Sequence, residues 1–179
     1  RSRHLLTLSS DKDQGRCRAR PDMSDSETPP LTNINHVTNI CTDMDRTREF
    51  YEEVLGFHTV KMTENYDDPG TKHYYFSPTP EGEPGTVVTY FEYPDSRGNP
   101  GPGASHHFAL GVEDGETLRE WRDHLRAQDV RVSRVQDRTY FESIYLADPD
   151  GLTIEICTEE PGFGVDEETP GTEFVAAPD

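Results

Sequence analysis

Hydrophobic and polar residues follow the same order of patterns twice along this chain. Each half begins with an alternating, strand-like run, continues with an amphipathic helical stretch and ends with three further strand-like runs. In the first half, strands are predicted near 33–40, 57–64, 71–77 and 85–93, with a helix near 45–55. In the second half, strands are predicted near 105–112, 130–136, 139–147 and 151–158, with a helix near 115–128. The predicted fold class is therefore α+β, built from two βαβββ modules.

The two ends of the chain differ in composition from this repeated region. The first 22 residues carry six of the 17 Lys and Arg residues, and residues 1–30 show no periodic pattern. We expect a disordered leader there, with Met23 as the candidate natural start. Residues 164–179 are acidic and contain Pro and Gly, so a flexible tail is expected. The remainder is predicted to be a single domain, 31–163, made of modules 31–94 and 104–163.

The chain is strongly acidic, with 35 Asp and Glu against 17 Lys and Arg and a formal net charge of −18. Few of the basic residues are lysines, which is typical of a salt-adapted (halophilic) protein; an ordinary acidic cytosolic enzyme is the alternative. Nucleic acid and anionic membranes are poor partners, because binding them needs clustered positive charge. Three cysteines provide no paired framework, and no apolar run approaches the ~20 residues that span a bilayer. We therefore expect a cytoplasmic protein.

One carboxylate interrupts the last apolar strand. Glu155 lies between Ile154 and Ile156, and alternation places it on the opposite face from both. Two other strands begin with a histidine, His36 and His107, at matching positions of the two modules. A lone histidine at a strand start is more often a hydrogen-bonded core residue, but two matched histidines with a carboxylate favour a metal centre. Two His and one carboxylate with open positions opposite are typical of non-haem Fe(II) oxygenases.

The first module lacks a counterpart to the carboxylate. Thr89 occupies the position that corresponds to Glu155, and threonine is a poor ligand for a divalent metal. The predicted set therefore has three protein ligands. Fe²⁺ is the expected metal, with Mn²⁺ or Zn²⁺ as alternatives. In the third strand of the first module, His73 and Tyr75 share a face and are expected to line the pocket.

The repeated order and several motifs resemble the vicinal oxygen chelate superfamily. The carriers are the two histidines, the segment 50–57, and the Asp-Pro-Asp-Gly turn 148–151 that leads to Glu155. Four further segments resemble the ring-cleaving dioxygenases that open hydroquinones: 61–71, 84–89, 140–145 and 160–163. The resemblance implies that the two modules form an open, barrel-like sheet of eight strands with the helices outside. It also places Arg138 and Tyr145 where that family keeps catalytic, substrate-binding Arg and Tyr side chains.

This chain departs from the hydroquinone enzymes in two respects. Those enzymes usually contain about twice as many modules, so that this chain resembles a minimal version with the middle missing. They also often have a histidine before the first metal ligand, where this chain has Asn35. An amide cannot move a proton as an imidazole can, which removes one candidate acid or base.

Three functions follow from these observations. The first is a ring-cleaving, extradiol-type dioxygenase that uses a small hydroquinone or catechol-like aromatic and O2, in a chain that is compatible with a homodimer. The second is a metal-dependent lyase, isomerase or thiol transferase of the glyoxalase or fosfomycin-resistance type. The third is a metal-free module that binds small molecules. The intact His/His/Glu set favours the first two over the third.

Overall fold

The computed structural model describes residues 29–98 and 101–163, together with the backbone of 175–176. The predicted leader and tail otherwise lie outside these residues. The strands and helices described below all belong to one unit, 33–179. Its first sheet has the strand order β1-β4-β3-β2, in which β1 pairs with β4 in parallel and the other pairs are antiparallel. Its strands are β1 (His36–Cys41), β2 (His58–Glu64), β3 (Lys72–Ser77) and β4 (Val87–Glu92).

The second sheet repeats this arrangement in the order β5-β8-β7-β6-β9, with β5 and β8 parallel. Its strands are β5 (His107–Val112), β6 (Gln136–Asp137), β7 (Glu142–Ala147), β8 (Thr153–Thr158) and β9 (Val175–Ala176). The two βαβββ modules and the α+β class are therefore as predicted. The sheets are separate and do not close into a barrel.

The predicted strand near 130–136 is mostly absent, and only β6 remains of it. The chain still runs beside β7, because the backbone of Ser133 donates to the carbonyl of Tyr145 over 2.9 Å. The return bond, however, goes to a side chain: the Tyr145 amide donates to Oγ of Ser133, also over 2.9 Å. A serine hydroxyl thus replaces a backbone carbonyl, and the regular ladder is interrupted.

The first helix, α1, spans Met44–Glu49 and continues as a π-helical turn through Phe50–Val54. The side chain of Asp43 caps its start by accepting from two backbone amides. Gly56 ends it with a φ of +67°, a conformation that glycine adopts at little cost. The π turn widens the last turn, and Leu55 bonds to Phe50 five residues earlier.

The second helix, α2 (Gly115–Ala127), is capped at its start by the carboxylate of Asp114. Its predicted apolar stripe is confirmed, because Leu118 and Leu125 are fully buried and Trp121 packs against the core. The stripe covers one face of β5, β7 and β8, where Ile154 and Ile156 are also buried. The opposite faces of both sheets are left for the candidate site. Among the described residues, no helix has the length and apolar character to cross a membrane.

The Asp-Pro-Asp-Gly turn joins the two modules. Asp148 accepts a hydrogen bond of 3.0 Å from the hydroxyl of Tyr90 in β4, which in turn contacts the Tyr51 hydroxyl at 2.8 Å. Both tyrosines are fully buried. Asp150 accepts from the Thr42 backbone over 2.9 Å and forms a 2.6 Å ion pair with Arg46. A turn that belongs to module two is thereby anchored on the helix and strands of module one.

Candidate active site

The face of module two that lies away from α2 carries a buried carboxylate. Glu155, in β8, is only 3 % exposed. Its Oε1 accepts a 2.6 Å hydrogen bond from the hydroxyl of Tyr145, which lies directly opposite in β7. Its Oε2 lies 3.0 Å from Nε2 of His107, at the start of β5. His107, Tyr145 and Glu155 therefore lie together on one face of this sheet.

Among the described residues, the hydroxyl of Tyr145 has three hydrogen-bonding partners. Besides donating to Glu155, its hydroxyl lies 3.2 Å from Oγ of Ser143 and 3.3 Å from Nη2 of Arg138, and both of these groups donate to it. The guanidinium carbon of Arg138 also lies 5.9 Å from the centre of the Tyr145 ring. Arg138 further bonds to the Gln136 side chain over 2.8 Å. The predicted pair Arg138 and Tyr145 thus lies beside the carboxylate.

A tight turn holds Arg138 in place. The next residue, Thr139, has a φ of +74°, which is rare for a β-branched side chain. Its amide donates to the Asp137 carboxylate over 2.7 Å, and the Arg138 amide donates to the Phe141 carbonyl over 2.9 Å. Such strain concentrates at sites where the position of a side chain matters.

The exposed residue His106 directly precedes His107 and contacts its ring. Its Nδ1 lies 2.7 Å from Nδ1 of His107, with the two rings nearly perpendicular. One nitrogen must carry a proton and the other must accept it. The contact therefore links the two rings and leaves Nε2 of His107 directed at Glu155.

The corresponding face of module one has different chemistry. Tyr75, in β3, lies opposite Thr89, just as Tyr145 lies opposite Glu155. Its hydroxyl is 3.3 Å from Nδ1 of His73, and Nε2 of His73 is 2.9 Å from Oγ1 of Thr89. Burial lowers the pKa of His73, and the nearby His36 and Lys61 lower it further. This face is therefore built from neutral histidine, tyrosine and threonine groups.

His36 belongs to this first face. Its ring centre lies 6.1 Å from that of Tyr75, and its Nδ1 contacts the Asn35 side chain at 2.8 Å. Burial, followed by the charge of Tyr66, raises the pKa of Tyr75. His73 and Tyr75 thus share a face, as predicted, and His36 lies on that face too. Arg138 and Tyr145 lie on the other face with His107 and Glu155.

Two of the three predicted metal ligands have a geometry that fits an ion. Donor atoms bound to one ion at about 2.0–2.2 Å lie near 3 Å apart, which is the separation between His107 and Glu155. Across residues 29–98 and 101–163, no three His, Cys, Asp or Glu side chains are arranged to hold a metal. In this structure His36 lies beside Tyr75 on the face of module one, so its place as the third ligand stays a prediction.

Ser143 was not singled out from the sequence, although it lies two residues before Tyr145 and so shares its face. It is fully buried in β7. Cys157, the register partner of Ser143 in β8, is half-buried on the same face of the sheet. Burial, followed by the charges of Glu155 and Glu159, raises its pKa to about 11, so it is a neutral thiol.

Residues 33–156 match the family model of the Glyoxalase/Bleomycin resistance protein/Dioxygenase superfamily. A Bacillus subtilis (strain 168) protein named "Putative ring-cleaving dioxygenase MhqE" is 34% identical over 140 residues, covering 76% of this chain and 44% of the relative. A crystal structure of a "putative dioxygenase" from the same species aligns with a TM-score of 0.64 at 32% identity, covering 72% of this chain and 41% of that one.

A glyoxalase I from Leishmania major, described as trypanothione-dependent, aligns at 25% identity with a TM-score of 0.56, covering 72% of this chain and 88% of that one. This chain therefore matches nearly the whole of a glyoxalase. In contrast, it spans less than half the length of the Bacillus relatives. The matched region contains both modules and all three predicted metal ligands. The chain belongs to the Glyoxalase/Bleomycin resistance protein/Dioxygenase superfamily.

Proposed function

We propose that this chain is a metal-dependent, ring-cleaving dioxygenase of the extradiol type, acting on a hydroquinone or catechol-like aromatic. The observation that carries the proposal is the cluster around Glu155: a buried carboxylate 3.0 Å from His107, with Tyr145 and Arg138 beside it. The names of the Bacillus relatives support the reaction class. The residues proposed for this chemistry all lie within the two modules.

His107 and Glu155 would hold the metal, with His36 as the third ligand and Fe²⁺ as the metal. When bound, Fe²⁺ supplies Lewis acidity toward a phenolic oxygen and a route for electrons to O2. Glu155 is the only anionic donor of the three, so it contributes most of the charge that favours a divalent ion. Its near-complete burial keeps competing water from the carboxylate.

The remaining residues act on the aromatic substrate. Arg138 supplies a permanent positive charge beside the metal ligands, and that charge offsets the negative charge of a phenolate. His73 and Tyr75 supply hydrogen bonds to ring substituents from the other face, and the adjacent Phe91 ring, centred 4.1 Å from that of His73, offers an apolar surface. Because His73 stays neutral, it is able to donate or accept without adding charge.

We assign the role of third ligand to His36 of a second copy of the chain. In the proposed homodimer, the module-one face of each copy packs against the module-two face of the other copy. His36 is exposed, and so are the edge strands β1 and β5 on the site side of each sheet. Two-fold pairing places each patch against the other and creates two equal sites. The pairing would also cover Ile40, an apolar residue of the first face that is 53 % exposed.

Mixing of defective chains tests this assignment. His36→Ala and Glu155→Gln chains, each inactive alone, are co-expressed with different tags. Random pairing makes half of the dimers mixed, and one of the two sites in each mixed dimer is intact, so about a quarter of all sites should recover metal. Recovery absent from purified mixed dimers would place His36 in a site within its own chain.

Oxygen consumption tests the reaction itself. Protein loaded anaerobically with Fe²⁺ should consume O2 when hydroquinones or catechols are added, with a new absorbance from the opened ring. Glu155→Gln is the matched control, because it keeps the size of the side chain and removes its charge. Metal-loaded protein that consumes no O2 with either substrate class would overturn the dioxygenase proposal.

A Lewis-acid lyase or transferase is the second candidate, favoured by the near-complete coverage of the Leishmania glyoxalase. It would use Mn²⁺ or Zn²⁺ to polarise an oxygen and would consume no O2. Thr89 argues against a fourth protein ligand, although three suffice for a transferase. Turnover of a thiol adduct of a 2-oxoaldehyde without O2 uptake would select this candidate. Failure to bind any divalent metal would instead select a metal-free binding module.

A further inference from the structure

Ser143 is a polar side chain with no exposed surface in the centre of the second sheet. Its register partners are Cys157 in β8 and Gln136 in β6. Because Ser143 is fully buried, bulk water does not reach it. The Oγ atom donates to the hydroxyl of Tyr145 over 3.2 Å. A buried hydroxyl that donates to a second hydroxyl restricts the direction in which the second hydroxyl donates its own proton.

The Tyr145 hydroxyl is saturated in this arrangement. A phenol has one proton to donate and accepts through its oxygen lone pairs. Ser143 and Arg138 both donate to that oxygen, at 3.2 and 3.3 Å, so the single proton is directed at Oε1 of Glu155, 2.6 Å away. Tyr145 therefore has no free hydrogen bond to offer a substrate while these contacts persist.

We infer that Ser143 is a positioning residue that acts through Tyr145 on Glu155. By holding the Tyr145 proton on Oε1, it fixes the rotation of the carboxylate and leaves Oε2 facing His107, where the metal would bind. The inference rests on the proposed metal function and makes it more specific. Tyr145 then orients a ligand, and contact with the substrate falls to Arg138 and to the residues of module one.

The first module supplies the contrast. At the position that matches Ser143 it has His73, which bonds both to the Tyr75 hydroxyl and to Thr89. The two bonds tie Thr89 to a neutral ring and leave the Tyr75 hydroxyl with a single long contact of 3.3 Å. Tyr75 consequently retains capacity for a ligand, whereas the capacity of Tyr145 is used within the protein.

Titration with Mn²⁺ alone, followed through the magnetic-resonance signal of the free ion, measures the consequence. Removing a partner of a metal ligand typically weakens binding about 10- to 100-fold, and we expect Ser143→Ala and Tyr145→Phe each to fall in that range. Ser143→Ala made in the Tyr145→Phe background should add little, because the contact through which it acts is already gone. Ser77→Ala is the matched control: Ser77 is equally buried, lies in β3, and its hydroxyl bonds to Thr79 and Thr86.

A second measurement does not depend on metal. In EDTA, denaturant unfolding of Ser143→Ala, Glu155→Gln and the double variant should reveal coupling between the two positions, and that coupling should vanish in the Tyr145→Phe background. Unchanged Mn²⁺ affinity in Ser143→Ala, with binding lost in Glu155→Gln, overturns the inference and leaves the proposed function intact. If the wild-type chain binds neither Mn²⁺ nor Fe²⁺, the proposed function fails, and the unfolding cycle alone decides whether Ser143 orients Glu155.

Discussion

The two site-facing surfaces of this protein share a frame and differ in charge. Both have a histidine at the start of an edge strand, a tyrosine on the third strand, and a residue opposite that tyrosine on the fourth. In module one that last residue is Thr89, and in module two it is Glu155. This position places a hydroxyl on one face and a carboxylate on the other. Repetition of a module supplies the geometry, and substitution at matched positions divides the chemistry between its copies.

The largest expected effect comes from substituting the two members of that matched pair separately. Glu155→Gln should lose most bound metal, because it removes the anionic ligand and keeps the shape. Thr89→Val, a change of similar size on the other face, should keep the metal content, because the Thr89 hydroxyl bonds to His73 and Thr38. Metal analysis of anaerobically purified protein checks both. Equal losses in the two variants would show that the faces do not differ as proposed.

The matched tyrosines give a second contrast. Tyr145→Phe should weaken metal binding, since the hydroxyl supports Glu155. Tyr75→Phe should lower kcat/KM about 10-fold for a hydroquinone while leaving metal affinity unchanged, because its hydroxyl contacts only His73 among the site residues. Steady-state kinetics at saturating Fe²⁺ and a separate Mn²⁺ titration distinguish the two variants. Identical effects on metal affinity would mean that both tyrosines support ligands.

Sequence patterns predicted the elements well, for a physical reason. Alternation and 3.6-residue periodicity record which side chains face the core, so the faces of β8 and of α2 followed directly from apolar positions such as Ile154 and Leu118. The same parity placed His107 and Glu155 together. The strand prediction was wrong over most of 130–136. There the Ser133 hydroxyl replaces a backbone acceptor, and the pattern of hydrophobic residues does not depend on such a bond.

Such patterns do not predict how the two modules pack against each other. Parity assigned His36 to a face of its own sheet, but the distance from that face to His107 depends on how two sheets pack. Likewise, the sequence showed that Tyr145 faces the site, whereas the number of donors to its hydroxyl depends on Arg138 and Ser143 reaching it from separate positions in space.

A third prediction tests the join between the two halves. Module one supplies Tyr51 and Tyr90, module two supplies Asp148, and burial raises the pKa of both tyrosines above their ordinary value of 10.0, with Asp148 raising them further. The folded protein therefore keeps tyrosine protons that the unfolded chain loses, so the contribution of these two tyrosines to stability is full below pH 10 and falls as the pH rises further. Thermal unfolding between pH 8 and 11 should show this fall.

Tyr90→Phe is the matched variant for the join. It removes the bond to Asp148 and leaves a buried carboxylate with one partner fewer, at a cost of about 1–3 kcal/mol near neutral pH. Its alkaline fall in stability should be shallower than that of the wild type, because one titrating group is gone. A slope unchanged by the substitution would assign the alkaline fall to other groups.

The smallest expected effect concerns the whole surface and does not distinguish the modules. A net charge of −18 repels itself in the folded state, and salt screens that repulsion over about 10 Å at 0.1 M and about 3 Å at 1 M. The unfolding midpoint should therefore rise by a few degrees between dilute buffer and molar KCl, as expected of a salt-adapted protein. The ion pair between Arg46 and Asp150 opposes this trend, because screening weakens an attraction that helps to hold the modules together. Asp150→Asn removes that attraction, so its midpoint should rise more steeply with salt than that of the wild type. A midpoint that falls with KCl in both proteins would mean that local attractions outweigh the net repulsion.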